Sequence, residues 1–84
     1  MSGHQIIPLA IKGSFVGNTN ATHTITEECE GASLVNRGLA TVTMTINGVS
    51  VTVEAGETFT GYWRDFTEVD ILATDDYALV VYGR

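Results

Sequence analysis

Cysteine, proline and positive charge are nearly missing from this chain, whose 84 residues include one cysteine, one proline and four lysine or arginine residues. A lone thiol, Cys29, cannot close an intramolecular disulfide. With two histidines beside it, the chain also has few ligands for a structural zinc site. Ten acidic residues against four basic give a net charge of −6, which opposes non-specific binding to nucleic acid or to an anionic membrane surface. Long apolar runs are missing too. The segment from His4 to Lys12 is interrupted by Pro8, lacks a basic leader and is too short to span a bilayer, so the chain is expected to begin in the cytoplasm. Asn20-Ala21-Thr22 matches a glycosylation acceptor but, on that expectation, matches it by accident. There is no phosphate-binding glycine loop, no Cys-x-x-Cys and no serine elbow.

A chain of 84 residues makes one domain and buries little more than ~60% of its unfolded surface. Self-association is the remaining source of extra stability once disulfides and metals are set aside. What the chain has in quantity is β-branched and turn residues. Threonine, valine and isoleucine together number 27 and glycine nine, while helix formers are scarce. The expected fold is all-β, a small antiparallel β-sandwich or jelly roll of roughly six to eight short strands, with a barrel as the alternative.

The clearest pattern runs from Thr41 to Glu54, where strict alternation enters Asn47-Gly48 and resumes after it. Both residues of that pair tolerate positive φ, so the segment predicts a hairpin with a type I′ turn. The turn fixes the register: Ile46 faces Val49, Met44 faces Val51 and Val42 faces Val53 on an apolar side, with Thr45/Ser50, Thr43/Thr52 and Thr41/Glu54 on a wet side. Ala55-Gly56-Glu57 reads as a turn, Thr58 to Trp63 as a strand, Arg64-Asp65 as a connection and Phe66 to Ala73 as a half-exposed strand. Thr74-Asp75-Asp76 turns the chain into a last strand, Tyr77 to Tyr82. That strand is apolar on both faces, which places it centrally or at an edge that a partner covers. Upstream, Thr22 to Thr26 alternates, and Leu34-Val35 leads to a turn at Asn36-Arg37-Gly38.

Residues 1–20 differ from the single β domain expected over 21–84. Ile6, Ile7, Leu9 and Ile11 have strand character, but the Gly13 to Asn20 run behind them is rich in turn formers. Two readings stand: an arm that adds to a neighbouring chain's sheet edge, with Pro8 confining it to an edge, or the first strand of the domain's own sheet.

Three constellations invite chemistry. Glu27-Glu28-Cys29-Glu30, with His23 upstream, could suggest a metal or a nucleophile, but a strand separates Cys29 from Glu28 and Glu30. It is read as a solvated acidic loop around a buried small hydrophobe. Asp75-Asp76 and Glu68/Asp70 could pair for acid–base work, yet turns and wet strand faces carry such pairs routinely, and so short a chain has little wall for a cleft. Tyr62-Trp63 with Phe59 and Phe66 forms the aromatic cluster, and Tyr77 and Tyr82 add two more rings in the last strand. Adjacent strand residues point oppositely, so one ring of Tyr62-Trp63 lies off the face the other occupies, either at a partner interface or in a second core. No catalytic residue, metal or cofactor is expected. The candidate interface residues are Ile6, Ile7, Leu9, Ile11, Tyr62, Trp63 and Tyr82.

The run from Asn36-Arg37-Gly38 through the Thr41 to Val49 alternation and Ala55-Gly56-Glu57-Thr58-Phe59 to Phe66-Thr67-Glu68-Val69-Asp70-Ile71 resembles small β-structured virion proteins of tailed bacteriophages. Decoration and fibre-base components are of this kind, and the likeness spans about residues 36–83. It implies a structural role in the virion: many copies binding a major capsid protein or another virion protein, most simply as a homo-oligomer, with a trimer preferred. It brings no catalytic residues. The Ala55-Gly56-Glu57 turn also resembles cupin-like jelly rolls, but the metal-binding histidines of cupins are absent. The competing expectation is a β module that binds glycan or protein, as in tail or fibre adhesion, with Tyr62 or Trp63 as the exposed ring.

Overall fold

Six strands carry the regular structure of residues 9–84, the part that the computed structural model describes. They are β1 (Ala10–Gly17), β2 (Ala21–Asn36), β3 (Val42–Ile46), β4 (Val49–Val53), β5 (Thr58–Leu72) and β6 (Tyr77–Gly83). All pair antiparallel in one hydrogen-bonded sheet of order β1-β6-β2-β5-β3-β4. The chain is all-β, as its composition predicts.

The Asn47-Gly48 hairpin has the expected register, Val42 opposite Val53, Met44 opposite Val51 and Ile46 opposite Val49. Asn47 at φ 49° and Gly48 at φ 77° supply the left-handed pair that a type I′ turn requires. Thr45 and Ser50 join their hydroxyls at 2.7 Å on the wet side. On the apolar side Val42, Met44, Ile46 and Val53 are buried, whereas Val49 is 52% exposed because β4 ends the sheet.

The other strands are fewer and longer than expected. Arg64-Asp65 does not separate two strands: it lies inside β5, which has 15 residues. Nor is Glu27 to Glu30 a loop, because it lies inside the 16-residue β2. The two strands form one long ribbon whose register shifts on both sides of Cys29. Extra residues at such shifts bend a strand and raise its local twist, and the polar side chains read as loops are those of the bend.

The bend folds the sheet's apolar face onto itself. His23, in the first half of β2, sets its Nε2 2.8 Å from the hydroxyl of Tyr77, although Tyr77 pairs with Asn36 at the far end of that strand. One layer therefore holds β1, β6, the second half of β2 and the first half of β5. The opposing layer holds the remaining halves with β3 and β4. Leu34, Leu79 and Val81 from the first and Met44, Ile46, Val69 and Ile71 from the second belong to a single buried core. β6 lies between β1 and β2, so its place is central. The Gly13 to Gly17 stretch, despite its turn-forming composition, belongs to β1 and pairs with β6. Ile6 and Ile7 lie outside the described residues.

Connections between the layers gather at one end, and Asn36 joins them. Its buried side chain donates to the Ala40 carbonyl at 2.8 Å and the Val53 carbonyl at 2.9 Å, and accepts from the Gly38 amide at 3.0 Å. Its own backbone pairs with Glu57 and Gly56. Asn36→Ala strands those three groups, and the expected loss is about 2–4 kcal/mol of stability. Chemical denaturation measures it, and a loss below about 1 kcal/mol would mean that water replaces the amide.

Candidate functional site

In the first layer, alternate residues of four strands point away from the core, and pairing places them in three rows. Ile11, Tyr82, Gly31 and Tyr62 form one row, Ser14, Val80, Ser33 and Thr60 the next, and Val16, Ala78, Val35 and Thr58 the third. No charged side chain occurs among them. The chain has four basic and ten acidic residues, so their exclusion from an entire sheet face is the most unusual feature of the surface. Ile11 is 66% exposed, Val16 73% and Tyr62 72%.

Two local details shape this face. Gly31 lies between Tyr82 and Tyr62, and a Cβ built there would stand 3.1 Å from the Tyr62 ring, so the missing side chain lets that ring lie close over β2. Ser33 and Thr60 share a hydroxyl–hydroxyl hydrogen bond across the strands, which satisfies both without charge. Leu9, Ser33, Thr60, Tyr62 and Tyr82 border an open hollow of about 420 Å³.

The structure thus brings Leu9, Ile11, Tyr62 and Tyr82 together and leaves Trp63 out. Trp63 points to the opposite side, half-buried between Phe59 and Phe66 with edge-to-face ring centroids 6.2 Å and 6.1 Å away. It belongs to the core margin. Its outer edge borders a polar hollow shared with Glu28, Glu30, Arg64 and Arg84.

The opposite outer face is of another kind. Thr22, Thr24, Glu68, Asp70, Thr43, Thr45, Ser50 and Thr52 cover most of it, with Leu72, 58% exposed, as its one large apolar side chain, and Thr22 donates to Asp70 at 2.8 Å. Hydroxyls and carboxylates of this density hold water strongly.

The remaining candidates have structural roles. Cys29 is fully buried with its Sγ 3.5 Å from the Glu27 carbonyl, and burial pushes the thiol pKa up, away from the thiolate that a nucleophile needs. Glu27 is held by Lys12 at 2.9 Å and Glu30 by Arg84 at 3.2 Å. Asp75 accepts from the amides of Leu39 and Asp76, which hold its carboxyl below the usual range and clasp two connections together. Among the described residues no three His, Cys, Asp or Glu side chains are grouped to hold a metal. No protein-family model, curated protein or solved structure matches the chain.

His23 is half-buried, stacked on Phe15 with centroids 4.4 Å apart and bonded to Tyr77. Burial lowers its pKa from the ordinary 6.5. Its neutral form is favoured in the fold, so its contribution is full above about pH 6.5 and lost as pH falls through the lower folded-state value. Between pH 7 and 5 the melting temperature of the wild type should fall more than that of His23→Gln, and superimposable pH profiles would contradict this role.

The two neighbouring aromatics should also separate in stability. Tyr62→Ala, on the outer face, is expected to change stability by less than about 0.5 kcal/mol. Trp63→Ala should cost about 3 kcal/mol or more if the ring closes the core, somewhat less if the margin relaxes around the gap. Equal losses in denaturation would show that the rings share one environment.

Proposed function

We propose that this chain is a structural subunit of a bacteriophage virion, a decoration or cementing protein that binds a capsid protein or another virion protein in many copies. The observation that carries the reading is the uncharged outer face of β1, β6, β2 and β5. The centre of a protein interface is depleted of charge and enriched in tyrosine, because buried charges must be paired whereas a tyrosine brings apolar area and a hydroxyl. The remaining surface keeps its carboxylates in water, which suits a subunit that sits on a particle with one side down. The strand-and-turn likeness of residues 36–83 to phage virion proteins supports the same reading, as does a small core that gains from assembly.

A second reading, a glycan-binding module, draws on Tyr62, a ring 72% exposed beside an open hollow. Sugars stack on such rings. One pair of experiments separates the two. The protein should be found in purified virions by mass spectrometry, and Val16→Asp/Tyr62→Asp, which places charges at two exposed points of the face, should weaken binding to particles at least ~tenfold without unfolding the domain. Absence from virions, or undiminished binding by the folded double variant, would refute the docking face. Retained binding to a glycan array by the wild type alone would favour the second reading.

A further inference from the structure

Two strands end the sheet, β1 and β4, and they end it differently. β1 carries Lys12 at an irregularity in its pairing, two of the usual protections of an open edge. β4, Val49-Ser50-Val51-Thr52-Val53, has no charge, proline or bulge, and among the described residues nothing pairs with its outer side.

The hairpin fixes which backbone groups face outward. In a type I′ turn the flanking residues Ile46 and Val49 exchange both hydrogen bonds, and antiparallel pairs then alternate. Val49, Val51 and Val53 therefore bond to β3, and the N–H and C=O groups of Ser50 and Thr52 point to the free edge.

We propose that this edge is completed by β4 of a second copy of the chain, antiparallel and with the twofold axis at Val51. In that register Ser50 of each copy exchanges backbone bonds with Thr52 of the other, so every outward group of β4 gains a partner. Val51 meets Val51, and the exposed Val49 meets Val53. Charge does not oppose this occupant: although the chain carries a net charge of −6, this register sets no carboxylate against another, since Glu54, the residue that follows β4, falls opposite Gly48. The contact buries little area, so the dimer is concentration-dependent in solution and gains from the high local concentration on a surface. It is independent of the docking face, which lies on the other layer, and of the virion reading.

Sedimentation from low-micromolar to near-millimolar concentration tests the pairing, with Thr52→Pro and Thr52→Val as variants. Proline at 52 removes an outward N–H without taking a bond from β3, and should weaken dimerisation at least ~tenfold. Valine keeps the N–H and should dimerise like the wild type. A second arm does not depend on the proline variant folding. Val51→Cys places two thiols across a non-hydrogen-bonded pair, where Cα atoms stand about 4.5 Å apart, so mild oxidation should cross-link it through residue 51 while Ser50→Cys cross-links poorly. A wild type that stays monomeric throughout, or an oligomer that Thr52→Pro leaves intact and Val51→Cys does not cross-link, would overturn the proposal. In the second case the contact lies on the uncharged face or involves residues 1–8.

Discussion

The buried amide of Asn36 is the constraint on which this fold depends. A sheet bent over its own apolar face needs its connections to cross between layers, and each crossing strands backbone groups beside the core. Asn36 satisfies three of them with one side chain, at Gly38, Ala40 and Val53, and its own N–H and C=O bind the turn that leads from β4 to β5. The end of β2, the start of β3, the end of β4 and the start of β5 are thereby held at one point. Asp75 and the His23–Tyr77 pair close the same end from the side of β6. A wholly apolar corner could not do this, since unpaired backbone groups there would cost more than the side chain gains.

Local chemistry was legible in the sequence wherever it was sufficient. Asn47-Gly48 and its flanking alternation determine a hairpin within a few residues, and the structure has that hairpin in that register. Two apolar faces left β6 either central or at an edge that a partner covers, and its place between β1 and β2 decides for the first. The bends of β2 and β5 were not legible, because Glu27 to Glu30 and Arg64-Asp65 have loop composition and stay within the strands only as the irregular stretch on either side of the Cys29–Phe66 pair. Asn36-Arg37-Gly38 likewise reads only as a turn, with nothing to mark Asn36 as buried. Its burial depends on Val53 and Glu57, which approach only after the hairpin has folded back.

The uncharged face was half legible for a related reason. Gly31 to Asn36, Thr58 to Trp63 and Tyr77 to Gly83 contain no charged residue, a visible signal, but nothing in the sequence says that the three are neighbours. The order β1-β6-β2-β5 joins segments from both ends and the middle of the chain. Alternation required Tyr62 and Trp63 to part, and only the core decides that Trp63 turns inward, where Phe59 and Phe66 receive it.

The two outer faces differ in what it costs to remove water from them. Covering Glu68 and Asp70 would strip hydration from carboxylates with no cation supplied by this chain, a loss that surface contacts seldom recover. Covering Val16, Val80, Tyr62 and Tyr82 removes water from apolar area and from hydroxyls, of which Ser33 and Thr60 are already satisfied by each other. The free edge of β4 is a third case, because its exposed groups are backbone donors and acceptors that another strand satisfies in full. The acidic face stays wet on these terms, while the uncharged face and the open edge lose little by being covered. A small domain with a thin core can then draw stability from association at both places without giving up the charge that keeps its remaining surface soluble.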